Sequence, residues 1–193
     1  MIRTGSLRTV FAAALAGALA GASPVAASPL DEIFGDAPIV RAARAGSVED
    51  MNAALVAGES VTKRAADGTP VIILATAARS LPVVKILIKN GARPDDKSRD
   101  ETTALTLASA NGDYEIAVYL LDNKANVNEL GSLRESALIK ATRARHPDIV
   151  ALLLDRGADI EETDSSGATA LDIAEATNQP AIAALLKKKA SRK

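Results

Sequence analysis

The sequence contains no cysteine. That excludes disulfides, thiolate metal sites and a cysteine nucleophile. It also excludes an acylated N-terminal cysteine, and it fits an oxidising compartment. Aromatic residues are almost absent: Phe11, Phe34, Tyr114 and Tyr119 are all there are. Strand-rich domains draw on aromatic and β-branched residues, so this scarcity points away from a sheet. An excess of charge of one sign is missing too. The formal net charge is −1, which gives no general pull toward nucleic acid or an anionic membrane.

His146 is the single histidine, so no second histidine or cysteine can join it as metal ligand or catalytic partner within one chain. Beside Pro147, it reads as an exposed residue at the start of a helix. Neither a G-x-S-x-G nor a G-x-x-x-x-G-K-[ST] motif occurs. Acids cluster at Asp95-Asp96, Asp100-Glu101 and Glu161-Glu162-Asp164. Acid–base work needs a concave pocket and pKa values pushed apart, and these acids fall on polar loops. No twelve-residue calcium loop surrounds Glu161–Asp164. The sequence therefore predicts no enzyme, no metal site and no cofactor.

What is abundant is small and apolar. Of 193 residues, 48% are hydrophobic, much of that alanine. This suffices for one compact domain or one short repeat array. Alanine loses no side-chain entropy in a helix and lets backbones approach, so the expected class is all-α.

Residues 1–27 read as a signal peptide. Arg3 and Arg8 give a positive start, and Val10–Ala22 runs without charge. That run is too short for the about 20 apolar residues of a membrane span. Small residues then mark cleavage after Ala27, with Ala22 as the alternative. Removing Arg3 and Arg8 leaves 21 basic against 24 acidic residues. The expected destination is periplasmic or secreted, with no stable membrane insertion afterwards. Residues 28–35 read as a short linker.

The rest repeats. Thr103-Ala104-Leu105, Ser136-Ala137-Leu138 and Thr169-Ala170-Leu171 begin three copies 33 residues apart. Thr69-Pro70-Val71-Ile72 begins another, 34 before Thr103, and a shorter copy begins near Ala37. The extra residue falls in 75–81 and predicts a distorted first helix or turn there. Each start leads to a second apolar run at helical spacing, such as Ile149-Val150-Ala151-Leu152-Leu153-Leu154. Pro82, Pro147 and Pro180 precede three of these runs, as suits the first position of a helix. Gly58, Gly91 and Gly157 end them; Lys124 takes that place in the third unit, so the position there is either strained or differently closed. The units are expected near 36–66, 67–100, 101–133, 134–166 and 167–193, with Lys187-Lys188-Lys189 as a solubilising end.

Here the sequence resembles the ankyrin-repeat family, whose pattern runs D-x-x-G-x-T-P-L-H-x-A-A, then glycine, then V-V-x-L-L-L, then G-A-D-V-N. Asp164-Ser165-Ser166-Gly167-Ala168-Thr169-Ala170-Leu171 is the closest stretch. The family's histidine position holds Ile72, Thr106, Ile139 and Asp172, so its hydrogen bonds must be replaced or lost. Leu130-Gly131-Ser132-Leu133 departs from D-x-x-G and is expected to expose its leucines. The resemblance implies a solenoid of about five helix–turn–helix units, acting as a monomer that binds a protein partner through fingertip loops and first helices. By phase, the candidate contacts are Arg44, Lys63, Arg64, Lys97, Arg99, Asn111, Glu129, Leu130, Arg134, Arg143, Glu162 and Asp164. Arginine is enriched among interface hot spots, which favours Arg44, Arg99, Arg134 and Arg143, with Leu130 as apolar anchor. The expected role is to stabilise or inhibit an envelope protein. The alternatives are a secreted effector that engages host proteins and a toxin-neutralising immunity protein.

Overall fold

The computed structural model describes residues 36–191; the expected signal peptide and the linker at 28–35 lie outside the described residues. Ten α-helices form five pairs: α1 (Pro38–Ala45) with α2 (Val48–Val56), α3 (Val71–Ala77) with α4 (Leu81–Lys89), α5 (Ala104–Asn111) with α6 (Tyr114–Asp122), α7 (Ala137–Arg143) with α8 (Pro147–Asp155), and α9 (Ala170–Ala176) with α10 (Pro180–Ala190). First helices pack on first helices and second on second, each unit touching the next. This is the all-α solenoid that the sequence predicts. The first-helix row packs more extensively than the second-helix row.

Alanine makes that close row possible. Ala43, Ala75, Ala104, Ala108, Ala137, Ala141, Ala170 and Ala174 are fully buried, and with no side chain beyond Cβ they let backbones meet. Larger residues fill the space behind them: Ile39, Met51, Leu87, Leu120, Leu138, Ile149, Leu153 and Leu186 are all buried. Pro82, Pro147 and Pro180, together with Pro38, sit in the first two positions of their helices.

The repeat is more regular than the sequence suggests. Hydrogen bonds close the same fingertip turn four times: Ala65 N–H to Thr69 O (2.9 Å), Ser98 to Thr102 (3.0 Å), Gly131 to Glu135 (3.0 Å) and Asp164 to Ala168 (3.1 Å). Left-handed backbone recurs in the same register. It appears between paired helices at Gly46, Arg79, Gly112, Arg145 and Asn178, after second helices at Gly58, Gly91, Lys124 and Gly157, and in fingertips at Gly68, Glu101, Arg134 and Gly167. Every interval is 33 residues. There is thus no extra residue in 75–81, and no distortion of that helix or turn. Pro70, not Thr69, stands where Thr103, Ser136 and Thr169 cap their helices. The Thr-Pro dipeptide matches the family pattern in letters, but the hydrogen bonds place it one residue later.

That shift moves Ile73 into the family's histidine position, in place of Ile72. Two of the four positions recover local hydrogen bonds. Thr103 N–H donates to Thr106 Oγ1 (3.0 Å) and Thr106 N–H to Thr103 Oγ1 (3.1 Å). Thr169 and Asp172 exchange the same pair at 2.9 and 3.2 Å. These are capping boxes, which satisfy helix-start N–H groups. Ile73 and Ile139 are buried instead.

Lys124 keeps the left-handed closure at φ 68°. Lys124 N–H reaches Leu121 O (3.1 Å) and Ala125 N–H reaches Leu120 O (3.0 Å), as Gly91 and Ala92 do one unit earlier. The position is therefore strained, not differently closed.

Candidate partner-binding face

The units are tied to one another along two lines. The first runs through the turns between paired helices. Ser80 Oγ donates to Gly46 O (3.0 Å), and the ring of His146 lies against Gly112, where a Cβ would stand 2.6 Å from its Cε1. His146 is thus a half-buried contact between units, not the exposed helix start expected. Arginine replaces glycine in the alternate turns and reaches forward. Arg79 meets Asp113 Oδ1 (2.5 Å) and Asn111 O (3.2 Å), and Arg145 donates to Thr177 O (2.7 Å). Gln179 Nε2 donates back to Thr142 O (2.9 Å).

The second line runs through the fingertips and the loops before them. Arg64 Nη1 donates to Gly68 O (2.9 Å) and to Lys97 O (2.7 Å) in the next unit. Asn126 N–H donates to Asp95 Oδ1 (2.9 Å), and 33 residues on Asp159 N–H donates to Asn128 Oδ1 (2.8 Å). The aspartate pairs of the sequence are therefore loop fasteners. Asp96 pairs with Arg93 (2.8 Å). Asp100 accepts from the Ser98 and Thr102 hydroxyls, which hold its carboxyl below the usual range.

Most of the expected contact residues prove to be engaged within the chain. Arg44 pairs with Asp36 (2.9 Å) and approaches Asp67 (3.7 Å). Lys63 pairs with Glu59 (2.7 Å). Lys97 lies between Glu129 (2.7 Å) and Glu101 (3.2 Å); Glu129 holds its ammonium above the ordinary lysine range and is itself held below the usual carboxylate range. Arg134 pairs with Glu162 (3.2 Å) across two fingertips. Arg99 stretches over Gly68 and remains exposed. Asn111 is half-buried at the end of α5.

Arg143 and Asp164 depart furthest from a free surface. Glu135 and Asp164 are buried carboxylates, and Arg143 joins them, with its Nε 2.5 Å from Glu135 Oε1. Lys140 also pairs with Glu135. Asp164 Oδ1 accepts from Ser166 Oγ (2.6 Å), Ser166 N–H (2.8 Å) and Ala168 N–H (3.0 Å). The Ser166 hydroxyl and the Ala168 N–H, followed by Arg143, hold the Asp164 carboxyl well below the usual carboxylate range. Asp164, expected among the partner contacts, is instead buried. It anchors the last fingertip, and with all these acceptor sites filled its carboxylate has no free side for a partner.

The exposed leucine is also the other one. Leu130 is half-buried, whereas Leu133 is 68% exposed. Leu133 takes φ 59°, next to Arg134 at φ 59°, and its carbonyl accepts from Ser165 N–H (3.0 Å). The equivalent residues in the other fingertips are Asp67, Asp100 and Ser166. Leucine is disfavoured in left-handed backbone, so this fingertip stores strain while presenting an apolar tip. The sequence signal was the break in D-x-x-G, which marked the loop without saying which leucine turns outward.

Among the described residues no group of three or more histidine, aspartate and glutamate side chains gathers as metal ligands, and no helix is long and apolar enough to cross a membrane. What the face offers is shape, hydrogen bonding and one apolar tip. Residues 39–131 and 128–193 match a family model described as ankyrin repeats (3 copies), and the chain belongs to the ankyrin-repeat family. Such repeats generally mediate protein–protein interaction and are typically non-enzymatic. A comparison with curated proteins finds no match.

Proposed function

We propose that this chain is an exported interaction module. It binds a partner protein through its fingertips and first helices, acts as a monomer, and stabilises or inhibits an envelope protein. The observation that carries this reading is the third fingertip, Gly131–Glu135. A strained, exposed Leu133 contributes nothing to the core, and local strain of this kind concentrates at ligand-contacting sites. Leu133 takes over from Leu130 as apolar anchor. Arg99, Arg64 and the Arg134–Glu162 pair supply polar contacts around it. Arg143 and Asp164 act from behind by holding the adjoining fingertip in shape. The periplasmic or secreted location rests on the reading of residues 1–27.

The test is affinity capture from the envelope fraction and the culture medium of the native cells. A Leu133→Ser/Arg99→Ala variant is compared with Val56→Ser, which alters an exposed residue of a second helix. The proposal expects a protein recovered by the wild type and by Val56→Ser but lost with the double variant. Identical recoveries by all three would exclude this face.

A further inference from the structure

Gln179 closes the turn between α9 and α10, at the end of the helix pair away from the fingertips. Ser80, Asp113 and His146 hold the same place in the three units before it. Each of those is taken up by a neighbouring unit: Ser80 Oγ donates to Gly46 O, Asp113 Oδ1 accepts from Arg79, and His146 lies on Gly112. Gln179 is used only at one end. Its Nε2 donates to Thr142 O (2.9 Å) and to Thr177 Oγ1 (2.6 Å). The Thr177 hydroxyl gives its own proton to Ile173 O (2.6 Å), so toward Gln179 it can only accept. A carbonyl and a spent hydroxyl therefore fix which end of the amide is nitrogen. Oε1 is left without a donor in a residue only 6% exposed, and a buried acceptor in that state is costly.

Gln179 lines a pocket of about 220 Å³ between the starts of α8 and α10. Pro147, Pro180 and Ile182 give it apolar walls. Arg145 lines it too; its Nη2 donates to Thr177 O (2.7 Å), which leaves most of the guanidinium donors unspent. α10 opens on Pro180, which has no N–H, and the Ala181 N–H behind it has no acceptor within the helix. No side chain caps this helix start, and no acid stands in its first turn, so the positive end of the helix dipole is unanswered. The pocket thus offers several donors and one acceptor, Gln179 Oε1. A carboxylate would suit Arg145 and the helix start but would set an oxygen against Oε1. An ammonium would suit Oε1 but would meet the charge of Arg145. A primary carboxamide carries an acceptor and two donors without charge. The pocket is smaller than the sites that hold drug-sized molecules, and its size suits one side chain.

We propose that this pocket binds a primary carboxamide, the side chain of a glutamine or asparagine carried by a peptide. Gln179 Oε1 accepts from its amide N–H. Arg145 and the start of α10 donate to its carbonyl, and Pro147, Pro180 and Ile182 pack its methylenes. The site lies on the turns, not on the fingertips, and it does not depend on the partner-binding reading.

The test is a nuclear magnetic resonance titration of the full chain with three blocked single-residue peptides at neutral pH. These are N-acetylglutamine methylamide and its glutamate and lysine counterparts, which share their main-chain amides and differ at the side-chain end. The glutamine peptide is expected to give saturating shifts at the Ala181 and Ile182 N–H groups and at the Gln179 side-chain amide. The glutamate and lysine peptides are expected to bind about tenfold more weakly or less, as suits the loss of a hydrogen bond to a charged or buried group. Arg145→Gly installs the residue that the first and third turns carry at this place, and it is expected to weaken the glutamine peptide by about tenfold. Arg156→Ala, at the other end of α8, is expected to leave it unchanged. Equal binding of all three peptides overturns the proposal, because the main chain is then the ligand. So do shifts confined to other residues, affinity kept in Arg145→Gly, or affinity lost in Arg156→Ala. No shift with any peptide overturns it as well and leaves Gln179 Oε1 to water. The wild-type series decides the question even where a variant unfolds.

Discussion

Replacing Lys124 by glycine should stabilise the protein. Lys124 follows α6 in left-handed backbone at φ 68°, while Gly58, Gly91 and Gly157 hold the same place at φ 85°, 93° and 87°. The side chain is exposed, so truncation removes little packing. A residue with a Cβ in this conformation costs about 1–2 kcal/mol. Glycine gives part of that back through its greater freedom in the unfolded chain, about 0.5–1 kcal/mol. The net gain is about 0.5–1 kcal/mol, or roughly 1–4 °C in Tm for an array of this size. Urea denaturation followed by far-UV circular dichroism measures it, with Lys124→Ala as the control. Alanine keeps the Cβ and should leave stability near wild type. Hydrogen exchange at the residue 124 and Ala125 amides, which donate to Leu121 O and Leu120 O, should slow in Lys124→Gly. A Lys124→Gly protein no more stable than Lys124→Ala would refute the strain argument.

Truncating Leu138→Ala or Leu153→Ala, both fully buried, should cost about 2–5 kcal/mol in urea melts. Gly112→Ala should cost about 1–3 kcal/mol, because φ 78° disfavours a Cβ and His146 occupies its space. Part of that loss should return in the Gly112→Ala/His146→Ala double variant, and a loss identical in both backgrounds would show that His146 yields freely. The fingertip and cap aspartates Asp67, Asp100, Asp164 and Asp172 are all held below the usual carboxylate range. A depressed folded pKa gives stability that is present above the unfolded value and lost as pH falls through the folded one. Thermal stability should therefore decline from about pH 5 downward, with a shallower decline in Asp164→Asn. The charges of the fingertip face are largely paired internally, so association with the partner should depend weakly on salt, checked by binding rates across ionic strength.

The periodic features were legible in the sequence because they follow from backbone needs. Prolines at helix starts and glycines at helix ends mark positions where few residues fit. The phase of the second unit was not legible. Thr69-Pro70 imitates the family's threonine and proline, and only the Ala65–Thr69 hydrogen bond shows that Pro70 itself stands at the cap. The proposed binding face could be mapped from the sequence as a row of loops and first helices, but not as a set of free side chains. Whether Arg143 points at a partner or at Glu135 depends on rotamers and on a carboxylate from another loop. The same holds for Asp164, whose family role in the turn is visible in the motif, whereas its burial depends on Arg143. Leu130 and Leu133 could not be ranked because one backbone angle decides which of them faces outward.

The turns between paired helices carry a grammar with a period of two units. Glycine in the first and third turns makes room for the incoming Ser80 and His146, and arginine in the second and fourth reaches forward to the next unit. A unit that receives is followed by a unit that reaches. Deleting or duplicating one unit would set two arginines or two glycines side by side, with a reach that meets no receiver or a space that nothing fills. Moving units in pairs of 66 residues keeps the alternation of glycine and arginine through the first four turns. The array therefore lengthens or shortens cleanly only by twos, and a recombined relative built in that way should keep its cooperativity where one built by single units loses it.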